Sequence, residues 1–134
     1  MTESATQEAG PIPAEIEQRV RTLSAEFIDS ADAMVALLTA HNETKWAENF
    51  GRLTSKMRQA TTQSERRDAA QYLRSFFGGM GSWNDFYLTA LGEAEAERER
   101  LTGHLSRTGE ALLELVTQYP DPKKPSFWSR LFGR

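Results

Sequence analysis

Apolar residues recur at alternating steps of four and three along most of this chain, and this spacing constrains the fold more than any other feature. The longest run predicts a helix from about residue 82 to residue 119. Its stripe comprises Tyr87, Leu91, Ala94, Arg98, Leu101, Leu105, Thr108, Leu112, Leu115 and Tyr119. Such a stripe forms one face of a helix in a bundle or a coiled coil. No segment shows the period of two that a half-buried strand requires, so we predict an all-α fold.

Three further helices are predicted upstream. Pro13 can open the first, because the N–H that proline lacks has no partner in a first helical turn. The stripes are Ile16, Val20, Leu23, Phe27, Ser30, Met34, Leu37 and His41 for the first helix, Trp46, Phe50, Leu53, Met57 and Ala60 for the second, and Ala69, Leu73 and Phe76 for the third, widened by Ala70 and Phe77. The predicted N-caps are Asn42 for the second helix, Thr62 for the third and Ser82 for the fourth, the last two with an acidic residue at capping-box spacing.

These elements predict an up-and-down four-helix bundle with a long C-terminal helix and a short amphipathic tail helix. We expect a disordered N-terminus over 1–12, the bundle over 13–119, a Pro/Lys linker over 120–125 and the tail over 126–134. The fourth helix would reach roughly 50 Å against about 40 Å for the first. It would therefore overhang, bend, or pair with a second copy as a homodimer.

Composition favours a soluble helical domain. The chain has 134 residues, no cysteine and a net charge of −3. The opening "MTESATQEAGPIP" has neither the basic nor the apolar region of a secretory signal, and the longest apolar run, Ala33 to Leu38, is too short to span a bilayer. We therefore expect a cytoplasmic protein. Charge is uneven, because residues 120–134 carry +3 and the remainder −6.

The phrase "FFGGMGSWNDFYL" is the most distinctive internal motif. Its glycines can form a backbone nest for an anion ahead of a helix, although the strand and the Gly-Lys-Ser/Thr ending of a P-loop are absent. The alternative, which we favour, is a structural interhelical turn in which Gly78 ends one helix and Ser82 caps the next. The residues of the motif are Gly78, Gly79, Met80, Gly81, Ser82, Trp83, Asn84 and Asp85.

This motif resembles a bacterial domain family of unknown function. The resemblance rests on "Gly-Gly-Met-Gly-Ser-aromatic-Asn-Asp" and on Trp46, Ala47 and Glu48 upstream, and it covers about residues 42–88. It implies no reaction, cofactor or metal. Small proteins of this sort sometimes lie among toxin-immunity and phage-defence genes, which is an association only.

No catalytic, cofactor-binding or metal-binding residue is predicted. Neither His41 nor His104 belongs to the Glu-x-x-His pairs of a di-metal bundle, and His41 is expected to pack or cap the first helix. The glutamates of residues 93–99 alternate at steps of two, so they spread around a helix, and Arg98 and Arg100 among them indicate local ion pairs on a solvated face. Residues 42–77 carry +3 without a recognition motif, so nucleic-acid binding is not favoured.

The tail "SFWSRLFGR" is amphipathic. On a helix its four large apolar residues lie on one face and its basic residues fall near the other, which is the composition of an interfacial membrane helix. The contact residues we predict are Lys123, Lys124, Phe127, Trp128, Arg130, Leu131, Phe132 and Arg134. The alternatives are docking on its own bundle, docking in a partner's groove, or an unstructured end.

Residues 123–133 also resemble the C-terminal membrane-targeting sequence of the Min-system ATPase of bacterial division. Both run Lys-Lys, a short gap, Phe, and then Arg-Leu-Phe-Gly. The nucleotide-binding motifs of that ATPase are absent, so the resemblance implies a mode of targeting and no activity.

These features predict a non-enzymatic module that binds an unknown protein and associates peripherally with the inner membrane surface. The alternative is a soluble immunity protein that neutralises a partner through the acidic residues 93–99. A third hypothesis is an enzyme or anion site at residues 78–85.

Overall fold

The computed structural model describes residues 10–88 and 92–122. They form four α-helices and one short 3-10 helix, without a strand in those ranges. The helices are α1, Ala14–Ala40; α2, Thr44–Gln59; α3, Gln63–Arg74; and α4, Glu93–Gln118, with the 3-10 helix Trp83–Asp85 between α3 and α4. The all-α prediction is confirmed. The tail helix and most of the N-terminal segment lie outside the described residues.

The four helices surround one core. Each helix packs against its neighbours in sequence, and α1 packs against α4 to close the ring. Short connections reverse the chain between α1 and α2 and between α2 and α3. The largest fully buried side chains come from α1, α2, α4 and the α3–α4 connection, and they are Phe27, Met34, Leu38, Phe50, Leu53, Trp83, Leu88, Leu105 and Leu112. The short helix α3 adds the buried residues Ala69, Ala70 and Leu73. The predicted stripes therefore supply most of this core.

The turn between α1 and α2 differs from the prediction. Glu43, not Asn42, is the N-cap of α2. Asn42 has a φ of +62°, the left-handed conformation that asparagine adopts just past a helix end. His41 is the C-cap of α1, and its Nδ1 lies 3.0 Å from the carbonyl oxygen of Leu37. Asn42 thus ends α1, while the capping role predicted for His41 is confirmed.

The start of α3 follows the sequence prediction. The Thr62 hydroxyl accepts the Glu65 N–H at 3.1 Å, and the Glu65 carboxylate accepts the Thr62 N–H in return. This reciprocal capping box satisfies two amides that a helix start otherwise leaves unpaired.

The fourth helix, α4, starts eleven residues later than the sequence predicted, at Glu93 instead of residue 82. Ser82 caps only the 3-10 helix, the chain is extended at Phe86, and α4 begins at Glu93 after Gly92, whose φ is +88°. Tyr87, predicted on the buried stripe, is 63% exposed. A continuous helix from residue 82 is replaced because Trp83 and Leu88 are both buried, and a turn followed by an extended segment can deliver both to the core.

The correction also changes the relative lengths. With 26 residues in α4 and 27 in α1, each helix is about 40 Å long. The extra length from which we predicted an overhang, a bend or a homodimer is therefore not present in α4, and the homodimer itself stays a prediction. Within the described residues no helix has the length and apolarity needed to cross a membrane.

Candidate functional site

An aromatic cluster fills one end of the bundle. Its centre is Trp83, which is 2% exposed and whose ring centroid lies 4.9 Å from that of Trp46 and 4.7 Å from that of Phe50. Phe86 stacks on Trp83 with centroids 5.0 Å apart and an interplanar angle of 15°. Phe76 completes the cluster with an edge contact to Phe50 at 5.0 Å. We call these five residues the aromatic cluster.

Arg98 of α4 closes the aromatic cluster from the side. Its guanidinium carbon lies 4.9 Å from the centroid of Trp83 and 5.6 Å from that of Phe86, which is cation–π geometry. Glu95 accepts two hydrogen bonds from this guanidinium, at 2.8 and 2.6 Å. The side chains of Arg98 and Glu95 are only 9% and 20% exposed. The local ion pair predicted for Arg98 is confirmed. The solvated face predicted for it is wrong, because aromatic rings cover the plane of its guanidinium.

The same ion pair fixes the α3–α4 connection to α4. Glu95 Oε1 also accepts the N–H of Leu88 at 2.8 Å. Two turns further along α4, the Thr102 hydroxyl accepts the indole N–H of Trp83 at 2.9 Å. The connection is thus attached to α4 at two points, one through its backbone and one through the central ring of the aromatic cluster.

The glycine segment, residues 78–81, forms a tight loop between Phe76 and Trp83 of the aromatic cluster. Gly78, Gly79 and Gly81 have φ values of +90°, +79° and +78°, a region that glycine alone occupies at no steric cost. Trp83 N–H donates to the Phe76 carbonyl at 2.8 Å, which closes the loop. Met80, at its tip, is 95% exposed. The glycines therefore allow a reversal that presents Met80 to solvent.

The interhelical-turn interpretation accounts for the polar residues of the motif. The Ser82 hydroxyl accepts the Asn84 N–H at 3.2 Å, and the Asp85 carboxylate accepts the Gly81 N–H at 3.0 Å. Asp85 thus places the chain's own carboxylate on an amide that an anion-binding nest would need to offer.

Three glutamates of α4 form ion pairs with arginines. The hydrogen bond from Arg98 holds the pKa of Glu95 below its ordinary value, and the hydrogen bonds from Arg100 and Arg74 do the same for the pKa values of Glu97 and Glu110. In the described part of the chain, no three His, Asp or Glu side chains gather in the way that a metal ion requires.

The end of α4 is joined to the start of α3 by a polar contact that we call the latch. Asp121 accepts the N–H groups of Gln63 and Ser64 at 2.7 and 3.0 Å, and the buried Gln63 side chain donates to the Tyr119 carbonyl at 2.9 Å. Carboxylates are stabilising at helix N-termini, where amides lack partners. The latch lies at the end of the bundle opposite the aromatic cluster, because α3 runs from the latch toward the glycine segment.

Sequence reasoning located the glycine segment but not its partners. The structure brings Trp83 together with Trp46 from α2 and with Arg98 and Thr102 from α4. The signal available in the sequence was Arg98 itself, the one charged residue of its predicted stripe. The predicted tail contacts, from Lys123 to Arg134, lie outside the described residues.

A family model described as a domain of unknown function (DUF6966) matches residues 39–96. The matched range supplies all five rings of the aromatic cluster, the glycine segment and Glu95, and ends two residues before Arg98. The resemblance to a domain family of unknown function is confirmed at this level. No curated protein and no solved structure matches the chain.

Proposed function

We propose that this chain is a non-enzymatic, helical protein-interaction module that attaches reversibly to an anionic membrane surface through residues 126–134. The observation that carries the interaction part is the exposure of Met80 and Tyr87, 95% and 63% respectively. Among the described residues these are the large apolar side chains left in solvent. A large side chain that stands exposed on an ordered base can anchor a protein contact.

The ordered surroundings of Trp83, which lies between these two residues in the sequence, support the proposed protein contact. Met80 and Tyr87 flank Trp83, which is buried, hydrogen-bonded to Thr102 and stacked on Phe86. A contact surface that is already ordered loses less conformational entropy when a partner binds. The glycine segment lies inside the matched range, so we propose that it is the signature of that domain and that its role is to hold this surface.

The membrane part of the proposal depends on the composition of the tail. Partial burial of Phe127, Trp128, Leu131 and Phe132 contributes at most about 1.5–3 kcal/mol each. Each basic residue near an anionic surface adds about 1 kcal/mol. Ordering the tail costs roughly 1–2 kcal/mol per residue in backbone entropy, so the net attachment is weak and reversible. The tail resembles a known targeting sequence, which supports the same mode.

Vesicle co-sedimentation tests the membrane part. The full chain should pellet with anionic vesicles more than with neutral ones, and less as salt is raised. The comparison is a truncation after Pro122, which removes the tail and keeps Asp121 in the latch. A Phe127→Ser/Trp128→Ser variant should stay in the supernatant, and Tyr87→Ser, which alters a residue far from the tail, should pellet like the full chain. Equal sedimentation of the full chain and the truncation would contradict the proposal.

The soluble immunity protein is the second candidate, and the acidic side chains in the first turns of α4 favour it. Glu93 and Glu99 of α4 stay exposed, while Glu95 and Glu97 are paired with arginines. An acidic surface of this kind suits a basic partner. In this candidate, neutralisation of the partner would be complete with the Pro122 truncation, whereas the membrane-attached module would need its tail.

A further inference from the structure

The latch fixes where the tail leaves the bundle. Asp121 is held by two backbone amides of α3, so the path of the chain is set up to Pro122, the last described residue. A cleft of about 260 Å³ surrounds this point, and Ile12, Val20 and Gln63 line it together with Asp121 and Pro122. The N-terminal part of α1, the α2–α3 turn and the root of the tail therefore share one end of the bundle, which we call the latch end.

The link between the latch and the amphipathic tail is short. Residues 123–125 are Lys-Lys-Pro, and they hold the Cα atoms of Pro122 and Ser126 within about 15 Å of each other even when fully extended. The bundle is about 40 Å long. If residues 126–134 lie on a membrane, the latch end is close to that surface, and the glycine segment at the opposite end, the loop end, is not.

The distribution of net charge along the bundle also favours an orientation with the latch end toward the membrane. The latch half of the described chain, residues 10–26, 52–74 and 110–122, has a net charge of zero. The loop half, residues 27–51, 75–88 and 92–109, has a net charge of −5. An anionic surface repels the loop half and leaves the latch half unaffected, and the basic tail is joined to the neutral half.

We propose that the latch end is a membrane-facing surface, and that the bundle binds an anionic lipid surface with this end down and the glycine segment held away. This orientation rests on the proposed attachment through the tail and adds two elements to it. Asp121 is the residue that sets the angle between tail and bundle, and Met80 and Tyr87 remain accessible to a protein partner while the chain is bound.

Energy transfer to a lipid acceptor tests the orientation. The chain contains no cysteine, so Gln59→Cys at the latch end and Met80→Cys at the loop end each give a single labelling site on the full chain. Each variant is labelled with the same donor and mixed with vesicles that contain anionic lipid and a headgroup acceptor. The donor–acceptor pair is chosen with a Förster distance shorter than the bundle. Transfer from position 59 should exceed transfer from position 80 several-fold.

The outcomes separate this inference from the proposed function. Absence of vesicle binding in the same samples overturns both. Binding with equal transfer from the two positions overturns the orientation and leaves the tail's role intact. Transfer greater from position 80 overturns the orientation as well, and shows that the loop end contacts lipid.

Two further variants test the latch itself. Asp121→Ala should bind vesicles as before but reduce the difference in transfer between the two positions. A Gly/Ser insertion after Pro122 leaves Asp121 in place, lengthens the link and should reduce the difference in the same way, even if Asp121→Ala is too unstable to use. An undiminished difference in the insertion variant would show that the link does not orient the bundle.

Discussion

Arg98 is a charged residue that is buried in the core, and its burial depends on the groups that surround its guanidinium. It occupies a core position of α4, 7% exposed, because Glu95 neutralises it and two rings cover its guanidinium plane. The sequence placed Arg98 on the apolar stripe, and the structure confirms that position. The rings that cover its guanidinium could not be predicted, because they come from the connection before α4.

Replacing Arg98 by alanine should lower the free energy of unfolding by about 3 kcal/mol, because it leaves the Glu95 carboxylate mostly buried without its cation. The matched control is Arg100→Ala. Arg100 pairs with Glu97 at the same spacing, but its side chain is 62% exposed, so its loss should leave stability near that of the original chain. Urea unfolding followed by circular dichroism measures both. Equal effects of the two substitutions would show that the cover of aromatic rings does not matter.

Acid should weaken the Glu95 contact. The hydrogen bond from Arg98 lowers the pKa of Glu95 in the folded state, so its contribution is complete above the ordinary glutamate pKa of about 4.3 and is lost as the pH falls through the lower folded value. Glu95→Gln should therefore destabilise the chain most near neutral pH, and the difference from the original chain should shrink in acid. Urea unfolding over this pH range provides the test, and a difference that is constant with pH would contradict it.

Replacing a glycine by alanine should lower stability at Gly79 and raise it at Gly51, because the two glycines differ in backbone conformation. Gly79 has a φ of +79°, so alanine there is strained by about 1 kcal/mol although no atom lies near its Cβ. Gly51 lies within α2 with the same open surroundings, and alanine there should stabilise the helix by about 0.5–1 kcal/mol. Thermal unfolding should show a lower midpoint for Gly79→Ala and a higher one for Gly51→Ala. A stabilising Gly79→Ala would contradict the loop conformation.

Among the elements, α1 and α3 were the best predicted from sequence. Pro13 and the Thr62–Glu65 capping box mark their starts with local interactions, and local interactions are visible in a sequence. The same spacing at Ser82 and Asp85 predicted a long helix and gave a single 3-10 turn. A capping signal specifies how a first turn begins, whereas its continuation depends on burial, and here Trp83 and Leu88 both enter the core.

The position of a C-terminal truncation should decide the stability of the bundle. Removal of residues after Tyr119 deletes Asp121 and leaves the Gln63 and Ser64 amides without their acceptor, which should cost about 1 kcal/mol. Removal after Pro122 should leave the free energy of unfolding unchanged, and Asp121→Ala in the full chain should match the shorter truncation. If the two truncations unfold at the same urea concentration, the latch contributes nothing to stability.

At the scale of the whole molecule, the number of helices and their order around the core could be predicted, because short connections force neighbouring helices to be antiparallel. The candidate site could be predicted only in part. The glycine motif marks the α3–α4 connection, but its contact with Trp46 joins residues 37 positions apart and depends on how α2 is placed. The latch, which joins Gln63 and Asp121, has no sequence signal that we recognise.

The two ends of the bundle differ in charge and in construction. The loop end has the aromatic cluster, exposed Met80 and the net negative charge, while the latch end holds the root of the basic tail. We propose that the latch end and the tail bind an anionic membrane and leave the loop end available to a protein.

Hydrogen–deuterium exchange with and without anionic vesicles tests this claim most directly, because it reports on every segment of the unlabelled full chain. We predict slower exchange in the presence of vesicles for residues 123–134 and for peptides around residues 59–66, with no change for residues 78–88. Neutral vesicles should have little effect at any of these segments. Unchanged exchange at residues 123–134, or slower exchange at residues 78–88, would contradict the account.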